Sequence, residues 1–324
     1  MQKRGRMALG AALVSITAAT AAQAEDTDSS ALTLELGTRY WYSSGSTAWN
    51  HDASTVGAFG IPFGNPTSVL TYDGLTARTA ELFFDLRHQS RWFVKGYAGL
   101  GGITSGMLDD EDYFTGQVKF SDTSSSVRGG SLHYASLDVG RSIYENQQRG
   151  VTVRAFLGYH YWSENVPAYG LTCNPDDVGG FFCGAPGSMP IPGSVSVITN
   201  NANWHSIRLG IGAEANLSER WSIAGEAAFI PYASLANFDS HHLRGDLGPV
   251  PNIRHTGRGI GFQLEAFVNY RVTPMWSVGL GARYWHLSTT SGETRFGPGF
   301  GTAFPLNDFT TERYGLVAQT SLRF

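Results

Sequence analysis

The carboxyl-terminal segment of the chain alternates between two kinds of side chain and stops on an aromatic residue. Apolar or small side chains take every second position, namely Leu316, Ala318, Thr320, Leu322 and Phe324, and mixed or polar ones lie between them, namely Val317, Gln319, Ser321 and Arg323. Successive side chains of a β-strand point to opposite faces. The pattern is typical of the closing strand of an outer-membrane β-barrel, apolar towards lipid and polar towards the lumen. It constrains the whole chain, because backbone in hydrocarbon must be paired within helices or a closed sheet.

The amino-terminal segment indicates export. Lysine and arginine side chains within residues 3–6 precede a modest apolar run over residues 7–19, and Ala22 and Ala24 follow at the positions that a signal peptidase reads. Residues 1–24 are therefore predicted to be a cleaved secretory signal peptide. The run is too short for a spanning helix, and no other stretch reaches the roughly 20 apolar residues that such a helix needs.

Composition favours membrane strands over membrane helices. A mean hydropathy of -0.16 and a charged fraction of 15% suit strands in which every second residue is polar. Forty glycines and 13% aromatic residues suit tight turns, close strand packing and interfacial aromatic girdles. A net charge of -4 and a pI near 6.1 exclude the basic character typical of nucleic-acid-binding proteins, so no nucleic-acid partner is expected.

Alternation predicts ten strands, and so an all-β fold: a single ten-stranded antiparallel transmembrane β-barrel over residues 25–324. The strands are predicted near residues 31–44, 80–87, 91–104, 130–144, 151–161, 207–217, 220–235, 258–272, 275–289 and 311–324. Charged side chains opposite the apolar rows are placed in the lumen, among them Glu35, Arg39, Lys95, Asp138, Arg208, Glu226, Glu265, Arg283 and Arg323. An even strand number puts both termini on the periplasmic side.

The connections between predicted strands alternate in length, which orients the barrel. Short turns are predicted near residues 88–90, 145–149, 217–220 and 273–275, on the periplasmic side. Long extracellular loops are predicted over residues 45–67, 105–129, 163–204, 236–257 and 290–310. A ten-stranded barrel is narrow, and its inward acids and bases can fill it as a paired network. This structural interpretation is favoured over a conducting pore or a small-solute porin.

Only two cysteines occur, Cys173 and Cys183, and both fall in the third predicted outer loop. In an exported protein so close a pair is predicted to form a disulfide bond that pins the loop tip. The sulfurs have no nearby histidine, so neither a metal site nor a catalytic thiol is indicated.

Two short acidic segments follow predicted strands at the outer end. Asp110 and Asp112 come after the third strand, and Asp239 and His241 come after the seventh. Residues i and i+2 of an extended segment point the same way, so each pair can face one cleft.

Carboxylates and an imidazole in this arrangement can activate water. A carboxylate beside an imidazole fixes its tautomer and keeps it basic, and the imidazole can take a proton from a water molecule held by facing carboxyls. Two close carboxyls lose their protons as a coupled pair, so one of them can stay protonated near neutral pH. The water molecule would then attack a scissile carbonyl.

A structural alternative exists for each of these residues. On the order of one D-x-H triplet is expected by chance in a chain of this length. An acidic run such as residues 109–112 is commonly a solvated loop tip, and His242 and His255 are predicted to be polar loop residues.

The layout of the motifs resembles the omptin family of outer-membrane aspartyl-histidyl proteases over nearly the whole mature chain. Ser68, Leu70 and Tyr72 match the family's S-x-L-x-aromatic opening of the second strand. Residues 107–113 resemble its M-x-D-x-D-aromatic segment with one extra acidic residue, and residues 239–241 fall at its D-x-H.

The resemblance implies an outer-membrane endopeptidase that works at the cell surface without a cofactor. It implies that Asp110 and Asp112 hold the attacking water, that His241 is the base, and that Asp239 orients His241. The expected partners are a peptide or protein substrate and outer-membrane lipid, with lipopolysaccharide as a candidate. The alternative is a non-catalytic omptin-like barrel that serves adhesion, surface recognition or envelope structure.

Some positions depart from the family pattern. Asn237 takes the place of the acid that lines the primary pocket of omptins that cut between basic residues, and residues 43–46 supply no second pocket acid. Tyr161 and Ser163 replace an acidic and a basic residue that help omptins to grip lipopolysaccharide. The sequence therefore predicts neither a preference for arginine or lysine at the cut site nor a dependence on lipopolysaccharide.

Overall fold

The computed structural model describes residues 31–324, which consist almost entirely of β-strand. The predicted signal peptide, residues 1–24, lies outside the described residues. Within the described part of the chain, no helix is long and apolar enough to cross a bilayer.

The strands follow one another along the chain. In order they are β1 (Leu32–His51), β2 (Gly57–Ala58), β3 (Ile61–Pro62), β4 (Ser68–His88), β5 (Trp92–Phe114), β6 (Val118–Val127), β7 (Gly130–Asn146), β8 (Val151–Cys173), β9 (Ile191–Asn216), β10 (Trp221–His241), β11 (Ile253–Arg271), β12 (Trp276–Phe296) and β13 (Ala303–Arg323). Two 3₁₀ turns, Gly245–Leu247 and Pro298–Phe300, lie in the connections.

Ten long strands form a closed antiparallel ring, as the sequence predicts. Each of β1, β4, β5 and β7 to β13 pairs with its neighbours in the ring, and β1 also pairs with β13, which closes the sheet. Leu34 and Phe324 exchange backbone hydrogen bonds of 3.1 and 2.8 Å at this seam. The first and last strands of the described chain therefore have their outer termini at the same end of the barrel, which we call the turn end. We call the opposite end of the barrel the loop end.

A belt of exposed apolar side chains surrounds the ring beside the turn end. Its members include Leu82, Leu100, Leu157, Leu209, Phe229, Ile260, Leu264, Leu280 and Leu316. Leu280 and Leu316 are 70% and 69% exposed, whereas Val317, the next residue along β13, is buried. The predicted alternation of the carboxyl-terminal strand is thus confirmed, and the exposed face is the one that suits lipid.

The strands continue well beyond the apolar belt, and here the predicted loop boundaries are wrong. Strands extend into every segment predicted as an outer loop, namely residues 45–67, 105–129, 163–204, 236–257 and 290–310. β4 begins at Ser68 and not near residue 80, and β6 adds an eleventh strand to the sheet at the loop end, where it pairs with β5 and β8. Beyond the belt the outer face can carry any side chain, so alternation fades while the backbone ladder continues. Asp110 and Asp239, predicted to follow their strands, therefore lie within β5 and β10.

Paired charges fill the lumen inside the belt. Arg39 and Arg283 donate to the carboxylate of Glu81 at 2.9 and 2.7 Å, and Arg283 also contacts Glu265 at 2.7 Å. A second group of ion pairs consists of Lys95, Asp138, Arg208 and Glu226. These side chains occupy the lumen and pair opposite charges with one another, which supports the structural interpretation of the inward charges.

An aromatic layer covers this network on the side of the loop end. We call it the aromatic floor, and it consists of Trp41, Tyr134, Trp162 and Trp285. The ring centroid of Trp285 lies 4.9 Å from that of Trp41, 5.0 Å from that of Tyr134 and 5.2 Å from that of Trp162. The guanidinium of Arg283 lies 4.8 Å from the Trp285 ring, so the network and the floor pack as one body.

Truncation of Arg283 should destabilise the barrel strongly. Arg283→Ala leaves the buried Glu81 with Arg39 alone and removes the nearest cation of Glu265, which costs about 3–5 kcal/mol of unfolding free energy. The measurement is urea unfolding of the barrel refolded in lipid vesicles. Arg323→Ala is the control, because the Arg323–Glu35 pair is more exposed and should contribute only about 0–1 kcal/mol. Equal losses in the two variants would contradict this account of the lumen.

Candidate functional site

The side chains of Asp110 and Asp112 point into the barrel because an irregularity near residue 104 reverses which side chains of β5 face inward. In the ladder with β4, Ile103 and Ser105 pair with consecutive residues, so Thr104 is an extra residue on β5. A β-bulge of this kind moves all later side chains to the opposite face. Both aspartates then lie on the inward face, as the i, i+2 spacing predicts for a pair that points one way.

β10 contains a matching bulge. The ladder with β11 shifts register between Ile230 and Ala233, with Pro231 inside the irregular stretch. Proline has no N–H to give to a ladder, so a bulge is one of the few places in a sheet that can hold it. Beyond the bulge, Asp239 and His241 share the inward face of the strand.

His241 and Asp239 form a hydrogen-bonded dyad. His241 Nε2 lies 3.0 Å from Asp239 Oδ2, Asp239 is fully buried, and the His241 side chain is 12% exposed. An ionised carboxylate only accepts hydrogen bonds, so Nε2 carries the hydrogen and Nδ1 carries the basic lone pair of the neutral ring. The carboxylate therefore fixes the tautomer, as the sequence predicts.

Asn252 clamps the backbone of His241. The His241 N–H donates to Asn252 Oδ1 at 2.9 Å, and Asn252 Nδ2 donates to the His241 carbonyl oxygen at 3.1 Å. The Asn252 N–H also donates to the Asp239 carbonyl oxygen at 3.3 Å, and Asn252 is buried. The dyad thus sits at a strand end that a buried side chain holds in place.

The acid pair and the histidine line one cleft at the loop end. The cleft has a volume of about 370 Å³, and Asp110, Asp112 and His241 all contribute to its wall. In the ring, β7, β8 and β9 lie between β5 and β10, so the two strands stand on different sides of the barrel mouth. The structure therefore brings together all four residues that the sequence singles out, with Asp239 behind His241.

Burial and mutual repulsion keep a proton on the acid pair. Burial, with the charge of Asp112 and a smaller effect of Asp239, raises the pKa of Asp110 to about 8, although His241 and Arg244 act in the opposite direction. Burial also raises the pKa of Asp112, while a hydrogen bond with Ser68 opposes that rise. Near neutral pH the pair therefore retains a proton.

Carboxylates raise the pKa of His241. Burial favours the neutral ring, but the adjacent Asp239 carboxylate and its hydrogen bond, together with Asp110 and Asp112, outweigh burial and raise the pKa above its ordinary 6.5. The imidazole is therefore a stronger base than a free histidine side chain.

Tyr72 lies beneath the site with its hydroxyl buried. Its oxygen has no hydrogen-bond partner among the protein atoms of residues 31–324. Burial raises the pKa of Tyr72, and the negative charges of Asp239 and Asp110 raise it further, so the phenol stays protonated between the two acidic groups. Tyr72 belongs to a strand-opening motif of the sequence, and that motif carries no signal that the residue lies under the cleft.

A neutral polar layer lies beside the dyad. Asn237 Nδ2 donates to His255 Nδ1 at 2.8 Å, and both side chains are fully buried. Burial lowers the pKa of His255 well below its ordinary value, and the nearby His51 and His241 disfavour a positive charge there further. The interpretation of His255 as a polar loop residue is therefore wrong, because it lies on the inward face of β11 and packs 4.2 Å from the Trp49 ring. His242 does lie at the surface, 2.9 Å from Thr199 Oγ1.

The predicted disulfide bond between Cys173 and Cys183 is present. It closes the connection between β8 and β9 at the loop end. Within residues 31–324, no group of three or more His, Cys, Asp or Glu side chains is arranged to hold a metal ion.

Several solved structures of bacterial outer-membrane β-barrels resemble the chain. The outer membrane protease OmpT from Escherichia coli matches with a TM-score of 0.67 and 12% sequence identity over 93% of this chain and 99% of that chain. The translocator domain of the autotransporter NalP from Neisseria meningitidis has a TM-score of 0.37 at 9% identity, covering 92% of this chain and 90% of that one. Ail, the attachment invasion locus protein of Yersinia pestis, has a TM-score of 0.30 at 9% identity, covering 90% and 98%.

No protein-family model and no curated protein sequence matches the chain. The likeness to OmpT at low identity shows a shared fold, and a fold alone does not define an activity. The chain is therefore an omptin-like barrel in its architecture, and its chemistry has to be argued from the cleft.

Proposed function

We propose that the chain is an endopeptidase of the bacterial outer membrane, with the loop end and its cleft outside the cell. One observation carries the proposal: Asp110 and Asp112 on β5 and His241 on β10 line the same cleft, with Asp239 bonded behind His241. The likeness to OmpT over nearly the whole chain and the apolar belt support the location.

The proposed reaction is the attack of water on a peptide carbonyl. His241 Nδ1 takes a proton from a water molecule held by the acid pair, while the water oxygen bonds to the carbonyl carbon. The proton retained by Asp110 and Asp112 donates a hydrogen bond to the carbonyl oxygen as negative charge develops there. The C–N bond then breaks, and the proton on His241 passes to the leaving amine. Asp239 stabilises the imidazolium that forms in between.

Loss of the base should abolish most of the turnover. His241→Ala is expected to lower kcat/KM about 10²- to 10⁴-fold on a peptide library, because the water loses its proton acceptor. His242→Ala is the matched control, since this neighbouring histidine lies at the surface and bonds to Thr199. Asp110→Asn and its neighbour Asp109→Asn form a second pair, because only Asp110 lines the cleft.

Refolded protein in lipid vesicles is suitable for these assays, with a folding check on each variant by heat-modifiable electrophoretic mobility. If the His241→Ala variant keeps the turnover of the wild type, the proposed mechanism is wrong. A folded wild-type barrel that cleaves no peptide would favour the non-catalytic interpretation.

The pH dependence of activity should reflect the protonation of His241 in the dyad. Activity requires neutral His241, whose pKa is raised, so kcat/KM should fall as the pH drops through a value above 6.5. Asp239→Asn removes the charge that favours the imidazolium, so the acidic limb should move to lower pH while the maximal rate decreases. The measurement is kcat/KM from pH 4 to pH 9 for both proteins. An acidic limb at the same pH in the two proteins would exclude Asp239 as the group that sets the basicity of His241.

Asn252 is predicted to be a positioning residue. Asn252→Ala removes both hydrogen bonds to the His241 backbone, so kcat should fall about tenfold with little change in KM, as expected for a misplaced base. Asn307→Ala is the control, because Asn307 bonds to Asn50 and Asn65 and not to the dyad. A rise in KM with an unchanged kcat would instead place Asn252 in substrate binding.

A further inference from the structure

One wall of the cleft is built from phenylalanine rings. We call it the aromatic wall, and it consists of Phe59, Phe63, Phe114, Phe120 and Phe182. The ring centroid of Phe120 lies 4.1 Å from that of Phe114, 6.3 Å from that of Phe63 and 5.1 Å from that of Phe182. Phe114 follows Asp112 on the inward face of β5, so the wall begins beside the acid pair.

The aromatic wall is held by several independent connections. Asp177 and Lys119 exchange two hydrogen bonds of 2.8 Å, which dock the connection between β8 and β9 onto β6. The disulfide bond of Cys183 fixes the residue next to Phe182. Two of the rings remain open to solvent, since Phe59 is 81% exposed and Phe182 is 43% exposed. Rings that are exposed yet anchored are suited to bind another apolar group.

The facing wall of the cleft is also largely apolar. It contains Leu247, Ile253, Phe296 and Phe304. His51, which lies between the two walls, stays uncharged because burial lowers its pKa to about 4. Among residues 31–324, the acids that line the cleft are Asp110 and Asp112, which carry the proposed chemistry. The remaining charged side chain is Arg244, whose guanidinium donates two hydrogen bonds to the carboxylate of Asp246.

We propose that the cleft selects peptides with a bulky apolar side chain, aromatic above all, within two residues of the bond that is cut. This inference rests on the proposed function, because it assigns the substrate class of the same cleft. A phenyl or leucyl side chain between the two walls leaves water and contacts rings on both sides. A lysine or arginine side chain would lose its hydration between the apolar walls, where residues 31–324 contribute no lining carboxylate beyond the reacting pair.

A cleavage profile tests the proposal directly. The full-length barrel, refolded in vesicles of neutral phospholipid, is incubated with an unbiased peptide library, and the cut sites are read by mass spectrometry. Phenylalanine, tyrosine, tryptophan or leucine should be enriched about 10- to 100-fold over alanine at one position within two residues of the cut. Enrichment of lysine or arginine there, or no enrichment at all, would overturn the proposal and leave the endopeptidase function standing. A complete lack of cleavage would remove both.

Variants of the aromatic wall give a second readout. Two peptides that differ only in phenylalanine against alanine at the preferred position are compared as a ratio of kcat/KM. Phe182→Ala should lower that ratio about tenfold, chiefly through a higher KM for the phenylalanine peptide. Met189→Ala is the control, since Met189 is an exposed residue of the same connection and does not line the cleft. An unchanged ratio in Phe182→Ala would contradict the proposal that the aromatic wall binds the substrate side chain.

A variant that gains a preference for a different substrate distinguishes a change in substrate binding from a loss of folding. Phe182→Glu places a carboxylate on the wall, so the variant should cleave a lysine peptide at least fivefold better, relative to the phenylalanine peptide, than the wild type does. A variant that is folded but shows no shift in this ratio would mean that Phe182 does not contact the substrate.

Discussion

The closed ladder of backbone hydrogen bonds decides which side of the barrel each side chain occupies. Side chains in a strand alternate with a period of two, so Glu226 in the lumen would put Asp239 on the outside if β10 were regular. The bulge around Pro231 reverses that assignment, and the bulge at Thr104 does the same for β5 between Lys95 and Asp110. The candidate site thus depends on two irregularities in an otherwise regular ring. Each turns an acidic segment inward only after its strand has left the apolar belt.

The sequence predicts the membrane part of the barrel well and the part beyond it poorly, for one physical reason. Inside the belt, lipid selects apolar side chains on every second residue, which is why the alternation that ends at Phe324 is readable. Beyond the belt, outward side chains meet water and can be polar or apolar. Before residue 80, β4 therefore keeps its backbone hydrogen bonds but shows no alternation of apolar and polar residues. The bulge in β10 has a sequence signal in Pro231, but Thr104 offers none.

The candidate site is predictable only in part. The spacing of Asp110 with Asp112 shows that the two share a face, but which face depends on a bulge that lies elsewhere in the strand. Asn252 and Tyr72 have no recognisable spacing from the dyad, because their contacts are made across the barrel mouth or through a connection. Residues that act through tertiary contacts of this kind leave no pattern in a single sequence.

The surroundings of the acid pair connect the proposed substrate preference to the proposed chemistry. Low polarity around Asp110 holds its proton, and the same environment strengthens the attraction between Asp239 and His241. Under the proposed function, an apolar substrate side chain would displace water from the aromatic wall and so reinforce both effects. A cationic side chain would do the opposite at Asp110, because a nearby positive charge favours the ionised carboxyl and so removes the proton that donates to the carbonyl oxygen in the proposed reaction. On this argument the walls and the reacting groups favour the same substrate, which is one that brings no positive charge to the cleft.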